Sequence, residues 1–135
     1  MKYLLDTNIC IYIIRQKPPQ VLRKFFSHSP GDIGISVITV AELQHGVYKS
    51  SRPEQSAQAL AQFLLPLTVM DFTSEAAEVY GKIRASLEKQ GMPIGPLDLF
   101  IAAHALQLNL TMVTNNVGEF SRVPELRVEN WAEAG

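Results

Sequence analysis

Short apolar runs alternate with longer helical stretches from one end of this chain to the other, and that alternation restricts the fold more than any single residue does. Tyr3 to Leu5 reads as a buried strand that feeds directly into a helix over Thr7 to Arg15, closed by Pro18 and Pro19. A second helix is expected over Gln20 to Ser27, then a turn from Ser29 to Asp32 and a second strand over Ile33 to Ser36. Thr39 opens a helix that carries Glu42 and runs to about Lys49, where the segment Ser50 to Pro53 breaks it. Pro53 to Phe63 is helical by composition, and Leu67 to Met70 is the third strand. From Ser74 to Gln90, apolar residues recur at Ala76, Ala77, Val79, Tyr80, Ile83 and Leu87 with the spacing of an amphipathic helix, and Gly91 supplies its stop. A Gly- and Pro-rich loop from Met92 to Pro96 leads to a helix over Leu97 to Leu108. A fourth strand follows over Leu110 to Thr114, ending at Asn115 and Asn116, and a last short strand over Leu126 to Val128.

Strands separated by helices imply an α/β fold: a mostly parallel central sheet of four or five strands, with helices on both faces, in one domain spanning 1–135. A chain of 135 residues is long enough to bury a core without disulfide or metal staples. Its 47% hydrophobic and 19% charged residues are those of a globular protein. The single cysteine, Cys10, cannot form an internal disulfide and lies in the apolar run Ile9 to Ile14, so it is expected to be a small buried hydrophobe. The N-terminus carries neither a secretory signal nor a membrane span, and a cytoplasmic location is expected. A formal net charge of -1 and a pI near 6.3 argue against a broad, promiscuous nucleic-acid binder, though not against a local basic rim.

Three carboxylates stand at the edges of segments far apart in the chain: Asp6 after the first strand, Glu42 on the third helix, and Asp98 at the start of the helix after Pro96. In open parallel sheets ligands bind beyond the carboxyl ends of the strands, so Asp6, Glu42, Asp98 and Thr114 can face one crevice. A hard cation such as Mg²⁺ takes oxygen ligands, a few carboxylates at most, and keeps water or phosphate for the rest. Each acid also has a structural reading. Asp6 is placed to cap a helix, Glu42 has the capping-box spacing from Thr39, and Asp98 is favoured by a helix dipole.

The words around these acids choose between the readings. The segments Leu4 to Asn8, Val40 to Gly46, Pro93 to Asp98 with Ile101 to His104, and Val113 to Asn116 with Glu119 and Phe120 together resemble the PIN-domain ribonucleases. Within them they are similar to the VapC toxins of bacterial toxin–antitoxin pairs. The resemblance implies an endoribonuclease dependent on Mg²⁺, with Mn²⁺ as a substitute, and with Asp6, Glu42 and Asp98 as both metal ligands and catalytic acids. Asn8, Thr114 and Asn116 are expected in supporting roles. Asn116 stands where many members carry a further Asp, which weakens the case for a second metal. The resemblance also implies a tRNA anticodon loop as substrate, a homodimer, and a cognate VapB-like antitoxin whose tail covers the cleft; promoter DNA would be bound only through that complex. Ile9, Ile13, Ile14, Leu43 and Val47 are candidates for the antitoxin contact. His104 is expected to be a packing residue, Glu119 a solvated helix end in preference to the cleft's rim, Trp131 an anchor for the last segment or part of a subunit contact, and Gly46 a site of close helix packing.

Two other classes share the fold pattern. A phosphoacceptor receiver domain needs paired acids near the first strand and a late Lys, whereas Asp6 stands alone there and the last Lys is Lys89. A PIN-fold binding module that has lost its chemistry is the reading Asn116 leaves open.

Overall fold

In the computed structural model, which describes residues 1–133, five strands form one sheet. They are β1 (Tyr3–Leu5), β2 (Ile33–Ser36), β3 (Thr68–Met70), β4 (Thr111–Val113) and β5 (Val128–Glu129). Their order is β3-β2-β1-β4-β5 and every neighbouring pair is parallel. The helices are α1 (Thr7–Arg15), α2 (Pro19–Phe26), α3 (Val37–Lys49), α4 (Pro53–Leu64), α5 (Ser74–Lys89), α6 (Pro96–Gln107) and the single turn α7 (Val117–Phe120). The expected span 1–135 includes two residues that lie outside those described.

Adjacent side chains of a strand point to opposite faces, and the sheet uses this to build two cores. Leu4 and Met112 join Ile83, Leu87, Leu99, Ile101 and Phe120 on one face. Leu5 and Val113, their immediate neighbours, join Ile9, Ile13, Val21, Leu43, Val47, Leu60 and Trp131 on the other. Each fully buried Leu or Ile contributes roughly 1.5–3 kcal/mol. Helix α6 is apolar almost all round because it is enclosed: Leu99, Ile101, Ala102, Ala103, His104 and Ala105 are all buried. Cys10 is fully buried, and burial pushes its thiol well above the usual range. Trp131 anchors the last segment, buried against Tyr3 and His28, with its Nε1–H donating to Glu129.

Several local details differ from the sequence reading. Helix α3 begins at Val37 rather than Thr39, because the Ser36 hydroxyl accepts the Ile38 N–H at 3.1 Å and caps the helix there. Strand β5 begins at Val128, since Glu125 takes a left-handed φ of 68° and the chain turns before it can pair. Gly46 does not mediate close packing, as a Cβ there would meet nothing within 4 Å. The turn α7 gave no periodic signal, being only four residues long. Gly91 does behave as a helix stop, with φ of 69° and the Met92 N–H returning to the Leu87 carbonyl.

The sheet order reverses at β1, with β2 on one side and β4 on the other, which opens a crevice at the carboxyl ends of β1 and β4. Asp6 leaves β1 and Thr114 leaves β4 at this point. The Asp6 N–H donates to the Val113 carbonyl at 2.9 Å and fixes the two exits side by side.

Candidate active site

Asp6 is both the helix cap and a member of the crevice, so its two readings are compatible. Its Oδ1 accepts the Ile9 N–H at 2.9 Å and its Oδ2 accepts a short hydrogen bond from the Thr114 hydroxyl. Thr114 is fully buried and its Oγ1 also accepts the Asn116 N–H at 2.9 Å. Burial raises the Asp6 carboxyl to about 6, against the two hydrogen bonds that lower it and with Glu42 adding to the rise.

Glu42 is not spent on a capping box. Ser36 caps α3 instead, and the Glu42 Oε1 accepts the Thr7 hydroxyl at 2.7 Å, across 35 residues of sequence. The first turn of α1 therefore holds the Glu42 carboxylate through Thr7. Asn8 stands exposed on that same turn, and among the described residues no hydrogen bond engages its side chain.

Asp98 lies half-buried in the first turn of α6, and its carboxyl is raised to about 7. Burial is the largest cause; next come the charge of Glu119 and a carboxyl–carboxylate hydrogen bond to it, then the charges of Asp6 and Glu42. The other three acids thus all act on Asp98. Glu119 is the member for which sequence reasoning preferred a solvated helix end to the cleft's rim. Its Oε1 accepts the Gly95 N–H at 2.8 Å and its Oε2 a short hydrogen bond from the Asn116 side-chain amide. A Cβ at Gly95 would lie 3.7 Å from the Glu119 Oε1 and 3.9 Å from the Asp98 Oδ2, so both carboxylates converge over that glycine. The only sequence signal for Glu119 was its place in the word shared with Asn116 and Phe120.

The histidines stay out of this cluster. His28 stacks on Trp131, with ring centroids 5.3 Å apart, His45 is exposed on α3, and His104 is buried in the core. The ion pairs among the described residues, Lys82 with Glu78 and Arg84 with Glu88, lie along α5 and neutralise none of the four acids. A carboxylate group with no protein cation, and with a proton held to about 7 on Asp98, fits a hard divalent ion. Among the described residues no three acidic, His or Cys side chains are drawn to direct chelating distance. The cluster is an open one, which suits an ion that keeps several waters and takes one or two carboxylates.

Beside Glu42 a groove opens between α1, α3 and α4, floored by Ile11, Ile14, Leu43, Val47, Ala59 and Leu60, with Arg15 at its rim. Ile9 and Ile13 are consumed by the core; Ile14, Leu43 and Val47 reach the groove. No helix among the described residues is long and apolar enough to cross a membrane.

The PIN domain family matches residues 3–126 of the chain. A ribonuclease VapC2 of Haemophilus influenzae is 46% identical over 131 residues, which is 97% of this chain and 98% of the relative. A tRNA(fMet)-specific endonuclease VapC of Shigella flexneri is 44% identical over 132 residues, 98% of this chain and 99% of the relative. Among solved structures, VapBC2 of Rickettsia felis, bound to a DNA fragment from their promoter, superposes with a TM-score of 0.91 at 44% identity, covering 97% of this chain and 99% of that one. The DNA-bound VapBC of Salmonella typhimurium gives 0.92 at 41% identity, over 97% and 98%. Sheet order and these likenesses agree: the chain belongs to the PIN-domain family, within its VapC ribonucleases.

Proposed function

We propose that this chain is a divalent-cation-dependent endoribonuclease toxin that cleaves a tRNA anticodon loop, with initiator tRNA as the first candidate, and so inhibits translation. The observation that carries the metal chemistry is the convergence of Asp98 and Glu119 over Gly95, with Asp6 and Glu42 close enough to raise the same Asp98 carboxyl. When bound, Mg²⁺ or Mn²⁺ supplies Lewis-acid charge against the scissile phosphate and a water acidic enough to attack near neutral pH. The substrate assignment rests on likeness to the tRNA(fMet)-specific relatives.

Each acid has a distinct part. Asp6 is oriented by the Ile9 N–H and the Thr114 hydroxyl, and Glu42 by the Thr7 hydroxyl. Glu119 is held by the Gly95 N–H and by Asn116. Asp98 receives no backbone or hydroxyl donor among the described residues and faces Glu119 instead, and its raised carboxyl suits it to orient the attacking water and take its proton. Asn116 supports the site by donating to Glu119, which supplies a fourth negative charge where the neutral amide cannot. Among the described residues no His pair lies in the crevice to activate the RNA 2′-OH, and the carboxylates serve a water instead; that water attacks, leaving a 5′-phosphate and a 3′-OH. A 2′-deoxy nucleotide at the scissile position therefore preserves cleavage, and complete loss with binding intact would sink this route.

Likeness to VapBC complexes supports a cognate antitoxin as partner. The groove beside Glu42 suits an apolar helical face entering next to the acids, and promoter DNA is reached only through that complex. A homodimer in the cytoplasm is the working assembly of this proposal. Incubating purified protein with total tRNA, with Mg²⁺ or with EDTA, tests the whole reading. A nuclease gives a discrete fragment that requires the metal. Intact tRNA under both conditions leaves the chain a PIN-fold binding module acting through its antitoxin.

A further inference from the structure

We propose that the buried Ser36–His104 pair is a positioning link that sets the separation of Glu42 from Asp98, and that it acts on metal binding through those acids; this rests on the metal reading above. Ser36 and His104 are both fully buried, and the Ser36 Oγ and His104 Nδ1 are 2.8 Å apart. Ser36 caps α3, the helix of Glu42, while His104 belongs to α6, the helix of Asp98. Among the described residues no other side-chain hydrogen bond joins α3 or its cap to α6.

The pair is built for direction rather than for filling space. The Ser36 Oγ accepts the Ile38 N–H and also pairs with His104 Nδ1, while burial lowers the imidazole below its usual range and keeps it neutral. Nε2 makes no well-formed hydrogen bond among the described residues, although the Asp71 backbone acts on the ring, and Phe72 stands edge-on to it at 5.3 Å. The histidine therefore carries the cost of burying a polar ring with Ser36 as its hydrogen-bonded partner. An apolar residue would pack at lower cost, so packing alone does not explain it. Elsewhere α3 meets α6 through apolar contacts such as those of Ile38, which allow one helix to slide or turn on the other. The hydrogen bond does not. Each acid lies six residues from its end of the link, Ser36 to Glu42 and Asp98 to His104, or about 9 Å along a helix. A small rotation at the link is therefore carried to the carboxylates, where Mg²⁺ tolerates little departure from octahedral geometry.

The test is calorimetric titration of Mn²⁺ into the metal-free protein, compared with melting temperature. Ser36→Ala removes the cap and the link, His104→Leu removes the link while keeping bulk, and His104→Asn returns an amide near the position of Nδ1. Val21→Ala on α2 is a control that weakens the core outside both helices. Ser36→Ala and His104→Leu are expected to bind Mn²⁺ about tenfold more weakly, as loss of supporting hydrogen bonds does at metal sites. His104→Asn should recover most of the affinity, and Val21→Ala should bind normally despite its lower melting temperature. Should His104→Leu not fold, His104→Phe, which also removes the link and leaves the Ser36 cap in place, is compared with Val21→Ala. Unchanged affinity in the link variants, or an equal loss in Val21→Ala, overturns the link while leaving the metal site standing. Failure of the unmodified protein to bind Mn²⁺ overturns both.

Discussion

At the scale of single residues, burial without a counter-charge is what distinguishes Asp6 from an ordinary cap. Its carboxyl is only 5% exposed and raised to about 6, so the metal-free fold holds a charge there against its solvation preference. Asp6→Asn keeps an oxygen for the Ile9 N–H and can donate to Thr114, and it removes the charge. We expect metal-dependent cleavage to fall by about a thousandfold or more, as it does when a group acting only in the transition state is lost. The metal-free variant should melt at or above the unmodified protein near neutral pH. Cleavage at the original rate by the folded, metal-loaded variant would remove Asp6 from the site. Position 116 gives the sharper contrast. If its amide serves to hold Glu119, then Asn116→Asp replaces a donor by a like charge and lowers the rate at limiting Mg²⁺; a higher rate would show that position 116 itself should carry the charge. The sequence offered Asp6, Glu42 and Asp98 as candidates through the family words around them, since each acid alone reads equally well as a cap or a dipole partner. Glu119 escaped because its partners, Gly95 and Asn116, give it meaning only after folding brings Gly95 across 24 residues. Thr7 escaped for the same reason, its hydroxyl being committed to Glu42 rather than to its own helix.

Among the elements, the loop before α6 does more than connect. Gly95 has a φ of -57°, which any residue can adopt, and a Cβ there would make only ordinary contacts with Glu119 and Asp98. Backbone freedom is not what the glycine provides; its N–H is, as a donor to the Glu119 Oε1. Gly95→Ala should therefore fold and cleave within a few-fold of the parent. Gly95→Pro fits the same φ but has no N–H, and it should lose about tenfold or more, the scale of a lost supporting hydrogen bond at a metal site. Measured cleavage rates alongside melting temperatures separate the two; equal rates would mean that Glu119 does not depend on this loop. The strand and helix pattern of the chain was readable because both periodicities are written in its apolar residues. The loop's function was not, since a backbone N–H leaves no mark in the side-chain sequence. The boundary of α3 was missed by two residues because Ser36, read as the end of a strand, is also a helix cap.

For the molecule as a whole, two raised carboxyls make the metal-free fold sensitive to pH in a definite direction. Asp6 is raised from 3.8 to about 6 and Asp98 from 3.8 to about 7, so between those values the folded chain binds protons that the unfolded chain has released. Stability from these groups is complete below their unfolded values and is lost as pH rises through the folded ones. For Asp6 the loss is roughly 3 kcal/mol at about 1.4 kcal/mol per unit. Asp98 adds less, because it is half-exposed and solvent screens its neighbours. The melting temperature of the metal-free protein should therefore fall between about pH 4 and pH 7, and Asp98→Asn should make that fall shallower. Mg²⁺ acts on the same charges with the opposite sign of dependence. Protons compete for the carboxylates at the lower pH, so the ion should raise the melting temperature little there and substantially at the higher pH. Thermal melts at both pH values, with Mg²⁺ and with EDTA, give four temperatures that must form this pattern. Equal stabilisation by Mg²⁺ at the two values would mean that the ion binds away from these acids, and a metal-free melting temperature that rises with pH would mean that the acids are not held against their charge.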